Sequence, residues 1–312
     1  MRKRRMLGAV GALFLAVLGV LSPVGPGTPA RAAVTVTLSF SAHQDDDLLF
    51  MNPDIASDIK AGYEVWVTYL TAGELLCTQS TLGHCGMSYA DTRVQGERAA
   101  YSNMAGVANN WQFQLMYFGG HPVAVNNLVG TRVHLIFTFI HAASGWDQCG
   151  DLYRLINTPG FSAAPIDGRP AYTRSGFTGM LRGIIDYVRP AYIRGQSSIG
   201  HRDADPDNID HTAGAILLAE ADLDGAGNTY LRRDEYTGYQ IRQLPDNVAP
   251  YWTSVKTSAW DAYWPNDWNL YNFTPPGVRP WGNVMARQYL PPGRIFYPGT
   301  HWIPPGDFTN RC

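Results

Sequence analysis

Residues Ala42-His43-Gln44-Asp45-Asp46-Asp47 set one imidazole beside three consecutive carboxylates. Carboxylates crowded in this way repel one another unless a cation, a donor network or water offsets the charge. A divalent metal does so economically. His43 and Asp46, three apart across a turn, reach one ion, which leaves Asp45 to take a proton from metal-activated water. One imidazole and one carboxylate do not complete a zinc site, so a third ligand has to come from elsewhere. The same residues also read as a helix start, because acidic side chains suit a helix N-terminus, with His43 merely ending a strand.

A second concentration of ligand-type residues runs from Gly200-His201 through Asp203, Asp205, Asp207 and Asn208 to Asp210-His211. His211 there opens an Ala/Leu-rich helix reaching about Ala221. Asp203, Asp205 and Asp207 have the alternating spacing that begins a calcium loop. Asn208 stands where the turn glycine belongs, however, and Gly214 where the bidentate glutamate should be. An Asp-rich capping loop is the plainer alternative.

Both clusters need a scaffold that brings them together. Val34-Thr-Val-Thr-Leu-Ser-Phe-Ser is an apolar, β-branched run leading into His43. It reads as a strand buried on both faces, as in a parallel sheet. A helix is expected over 48–60, a strand over 64–70 and a helix over 91–104. Strands follow at 111–118 and 133–140, then a helix over 173–188 and a short strand at 191–194. Strands alternating with helices indicate a Rossmann-like α/β fold: a mostly parallel sheet with helices on both faces. In such sheets ligands bind beyond the carboxyl ends of the strands, where both clusters fall. No P-loop appears and no GxGxxG follows the first strand, so no motif supports nucleotide binding.

Taken together the motifs resemble the LmbE-like, or PIG-L, zinc-dependent N-acetylglucosaminyl de-N-acetylases. That family's first motif is Ala-His-Pro-Asp-Asp-Glu; here Gln44 replaces the proline and Asp47 the glutamate. Its second motif, commonly His-Pro-Asp-His, is matched at Asp210-His211, with Asn208 in place of the earlier histidine. The resemblance implies Zn²⁺ held by His43, Asp46 and His211, Asp45 as general base, and His201 as the candidate for the oxyanion-stabilising or acid role. An Arg followed four residues later by Glu also recurs in the family. By that likeness Arg93, with Glu97, is expected to contact substrate; the alternative is an exposed ion pair on a helix. Asp234–Tyr239 and the Lys256-containing segment faintly resemble the family's late tyrosine strand and lysine helix. The implied activity is removal of an N-acyl group, chiefly acetyl, from an N-acylglucosamine-containing small molecule or glycoconjugate. An acylated glycopeptide is the substrate alternative. A non-catalytic, calcium-dependent carbohydrate-binding protein is the rival reading, with the aromatic C-terminal stretch gripping sugar.

Composition bounds these readings. Residues 1–32 carry five Lys/Arg and no acid, then an apolar run and Ala30-Arg31-Ala32. This is the pattern of a secretory signal peptide, so a secreted protein without stable membrane insertion is expected. The Arg4-Arg5 pair leaves Sec or Tat export open. Beyond it, 19 basic residues face 26 acidic ones. That balance argues against nucleic-acid binding, which rests on basic side chains. The expected organisation is a signal peptide over 1–32, a catalytic domain over 33–265 and an aromatic, Pro-rich extension over 266–312 packed on it. Four cysteines in an exported chain point to disulfides. Cys77–Cys85 and Cys149–Cys312 are favoured among three connectivities.

Overall fold

The structure is a computed structural model, and it describes residues 34–74, 84–143, 149–200, 207–223, 230–297 and 308. The proposed signal peptide and His201 lie outside these residues, as do Asp203 and Asp205. No free cysteine occurs among the described residues, and each expected cystine pair includes one residue outside them. No helix among them is long and apolar enough to cross a membrane.

The first strand, β1 (Val36–Ser41), is buried along nearly its whole length. It lies between β2 (Glu64–Tyr69) and β8 (Tyr192–Gln196), parallel to both. Beyond β2 comes β5 (Val133–Phe137), and beyond β8 comes β9 (Arg232–Tyr236), again parallel. The edges are antiparallel: β4 (His121–Leu128) and β3 (Trp111–Phe118) on one side, β10 (Ile295–Phe296) on the other. The sheet has eight strands, in the order β10-β9-β8-β1-β2-β5-β4-β3. A separate ribbon pairs β6 (Ser162–Ala163) with β7 (Tyr172–Thr173). The mostly parallel sheet read from the sequence is therefore present. Among its strands β4 and β10 were not anticipated.

Alternation along the strands builds two cores. Leu38, Phe40, Trp66 and Ile136 face α3 (Gly150–Asn157), α4 (Arg174–Val188) and α5 (Ile209–Leu223). Val65, Val67, Leu135 and Phe137 face α1 (Asp54–Lys60), α2 (Gly86–Ala105) and α6 (Pro250–Tyr263). Helices thus cover both faces. Thr173 caps α4 by accepting from the Gly176 N–H, and Pro250 opens α6 where its missing donor costs nothing.

The helix expected over 48–60 is broken. Asp47–Met51 forms a π-helical turn, Asn52 is extended, and α1 starts only at Asp54. A residue before proline avoids the helical region, which accounts for the break at Asn52. Asn52 Oδ1 then accepts from the Ala56 N–H. Buried Lys256 donates to the Leu49 carbonyl at 2.6 Å and the Arg287 carbonyl at 2.7 Å, so α6 clamps the π-turn from outside. Burial draws the Lys256 pKa down to about 7.

Helices α2 and α6 meet at Gly96, where an added Cβ would lie 2.7 Å from the Tyr263 ring and 3.0 Å from its carbonyl. Gly96→Leu is therefore expected to cost about 1–3 kcal/mol through overpacking, read from urea denaturation midpoints.

The outer strand β3 is unusual for an edge. It reads Trp-Gln-Phe-Gln-Leu-Met-Tyr-Phe, with no charge and no proline. Phe113, Leu115 and Tyr117 are exposed at 65%, 46% and 69%.

Candidate metal centre and its cavity

With β1 in the middle, the chain leaves toward β2 on one side and returns at β8 on the other. That reversal is the switch point at which open α/β sheets form a crevice. The carboxyl end of β1 delivers His43 to Asp47, and the loop after β8 leads into α5, which carries Asp210 and His211. The two sequence clusters meet there.

Asp46 joins the two imidazoles. Its Oδ2 is 3.0 Å from His43 Nδ1, and its Oδ1 is 3.1 Å from His211 Nε2. Ligand atoms of His43, Asp46 and His211 lie within 4.8 Å of one another, and all three residues are buried. Asp46 Oδ1 and His211 Nε2 have no hydrogen-bond partner despite their proximity. Orphaned buried atoms this close together are what a shared cation satisfies, so these residues fit a divalent ion.

Two further carboxylates, not singled out from the sequence as site residues, complete the surroundings. Asp207 Oδ1 is 3.0 Å from His211 Nδ1, and Asp210 Oδ2 is 3.0 Å from His43 Nε2. Asp210 also accepts from the Ala143 N–H. Carboxylates behind ligating histidines orient the rings and raise their basicity. The i,i+4 spacing of Asp207 and His211 was the available signal. Burial opposes charge on both imidazoles, but the neighbouring aspartates outweigh it. His43 is lifted to about 9 and His211 well above its ordinary value. Burial also tends to raise Asp46, yet His211 and His43 hold it well below the usual carboxylate range.

Asp45 stands apart from this group, at φ 124°. Its Oδ1 is 2.6 Å from Arg93 Nη2. Burial pushes its pKa up to about 7, with Arg93 working the other way. Arg93 does not form an exposed pair with Glu97. It is buried, donating to the carbonyls of Gln44 and Gly73 and the hydroxyl of Tyr263, and pairing with Asp267 at 3.2 Å. Asp47 turns into the core, where Tyr69 and Tyr101 donate to it at 3.1 and 2.5 Å. Burial pushes it to about 6.

Because buried Arg93 pairs with both Asp45 and Asp267, Arg93→Ala is expected to destabilise the fold by about 3–5 kcal/mol. Equilibrium urea unfolding measures this.

His43, Asp45 and Arg93 line a cavity of about 210 Å³ together with Glu74, Asn208, Asp267 and Trp281. Asn208, which stands in the place of the family motif's earlier histidine, is on this wall. Glu74, at the end of Thr71-Ala-Gly-Glu74, accepts from the Ala142 N–H and meets His141 Nδ1 at 2.6 Å.

The fold and site can be set beside known proteins. No curated protein sequence matches the chain significantly. Among solved structures, a deacetylase triple mutant of the teicoplanin biosynthetic pathway is similar, with 15% identity and TM-score 0.44. The match covers 80% of this chain and 88% of that one. The N,N′-diacetylchitobiose deacetylase of Pyrococcus horikoshii has 15% identity and TM-score 0.44 over 77% and 73% of the two chains. The 4-carboxy-2-hydroxymuconate hydratase GalB of Pseudomonas putida has 16% identity and TM-score 0.43 over 80% and 83%. Residues 38–221, more than half of the chain and containing both clusters, match the family described as PIG-L, GlcNAc-PI de-N-acetylase, and the chain belongs to that family.

Proposed function

We propose that this protein is a secreted, metal-dependent N-deacylase that releases acetate from an N-acetylglucosamine-containing substrate. The observation that carries the reading is the buried His43–Asp46–His211 cluster with Asp45 at the floor of the adjoining cavity. Family membership supports the amide chemistry.

A divalent cation, zinc by choice, held by those three residues supplies Lewis acidity toward water and the acyl oxygen. Asp45 accepts the proton lost by the attacking water and returns it to the amine nitrogen as the C–N bond breaks. Arg93 fixes the Asp45 carboxylate at 2.6 Å, and its position on the cavity wall keeps it the proposed substrate contact. Asp207 and Asp210 hold the imidazoles in register. His201 remains the proposed second donor to the tetrahedral oxyanion.

Export rests on the basic start, apolar run and Ala30-Arg31-Ala32, and N-terminal sequencing of the mature protein tests it.

The deciding experiment combines elemental analysis of the purified protein with amine release from N,N′-diacetylchitobiose and an N-acylated glycopeptide, with and without chelator. Stoichiometric transition metal and chelator-sensitive release, restored by Zn²⁺, are expected. Calcium as the only metal, with sugar binding and no amine release, would instead identify a carbohydrate-binding protein.

A further inference from the structure

Trp281 adopts φ 58° and ψ 17°, a left-handed conformation that is an outlier for a bulky side chain. Such backbone persists only where its surroundings impose it, and it gathers at ligand clamps and active sites. Trp281 lines the same cavity as His43 and Asp45.

One face of its ring is fixed by a stack. Trp281 lies on Tyr239 with centroids 5.2 Å apart and planes inclined by 23°. Tyr239 in turn lies against His211 at 5.2 Å and 32°. Phe50 meets Tyr239 edge-on at 5.3 Å and braces the middle ring from a further side, while the Tyr239 backbone N–H donates to Asp207. The Arg242 guanidinium carbon is 5.6 Å from the Tyr239 centroid and 5.7 Å from that of Trp281. This cation therefore lies over both rings of the stack. Trp281 is only half-buried, and its remaining surface contributes to the cavity lining.

Tyr89, Asn208, Asp267 and Asn269 share the cavity lining. An aromatic plate edged by hydrogen-bonding groups complements a pyranose, whose C–H face is apolar and whose hydroxyl rim is polar. We propose that Trp281 is a specificity-determining residue, the plate on which the substrate's pyranose ring stacks while its N-acyl group reaches Asp45 and the metal cluster. This assignment rests on the amino-sugar reading above.

Two measurements on wild type, Trp281→Ala and Trp281→Phe test it. Saturation-transfer NMR with N,N′-diacetylchitobiose needs no turnover. Transfer to the sugar ring protons is expected with wild type and the Phe variant, and its loss with the Ala variant. In steady-state amine release, the Ala variant is expected to raise KM about tenfold with kcat within about threefold, and Phe to recover most of the KM. Should the Ala variant not fold, Trp281→Gly, which suits positive φ, takes its place. Unchanged sugar binding after removal of the ring, or no binding by the wild type, overturns the assignment. Binding that depends on Trp281 without amine release from any substrate would support the plate and sink the deacylase reading.

Discussion

Asp45→Asn is expected to lower kcat for amine release by roughly 10²- to 10⁴-fold, the range a positioned general base supplies, while metal content stays at the wild-type level. The substitution keeps the shape of the side chain while removing its ability to take a proton and its charge opposite Arg93. Asp45 is not among the cluster ligands, and its own carboxylate is committed to Arg93 and the cavity. A pH signature accompanies the rate loss. As a base Asp45 acts ionised, and burial sets its pKa at about 7 in the metal-free protein. Wild-type kcat/KM should therefore rise with pH through that value and level off about one unit above it. A bound cation stabilises the carboxylate and draws that limb lower. The Asn variant's residual activity should lack the limb. Full activity in this variant would remove Asp45 from the mechanism.

Asp46→Ala should be still more severe. Asp46 is fully buried, and its two oxygens are the link between His43 and His211. Without it two buried imidazoles face each other across an empty site. Loss of bound metal, amine release at background level and destabilisation of about 3–5 kcal/mol are expected. Elemental analysis and thermal melting read the first and last directly. Stoichiometric metal in the Ala variant would show that the ion sits elsewhere.

Local pattern made part of this site legible. His43, Asp46 and His211 stand in contiguous motifs at strand ends, and the α/β alternation predicts that those ends share one edge of a sheet. Asp207 and Asp210 were visible only as members of an acidic run. Which carboxylate backs which imidazole depends on how α5 meets β1, and spacing does not encode that. Arg93 shows the same limit: its i,i+4 relation to Glu97 is real on the helix, but the partners that engage it are Asp45, Tyr263 and Asp267 from two other parts of the chain. Strand β4 escaped notice because Pro122, Asn126 and Asn127 weaken the β pattern. Pairing on both sides, with β3 and β5, overrides that weakness. Trp281 was visible only as one member of the aromatic C-terminal stretch, and its backbone angle and neighbours emerge only once the chain has closed around Tyr239.

The rim of the sheet has a practical corollary. Folded proteins ordinarily guard a terminal strand with lysine, proline or a bulge, because its unfilled amides and carbonyls template the addition of another chain. Trp111–Phe118 contains neither of the first two. When the protein is concentrated or warmed, self-association should begin along this margin, and turbidity would then report strand-to-strand joining well before the catalytic scaffold itself comes apart.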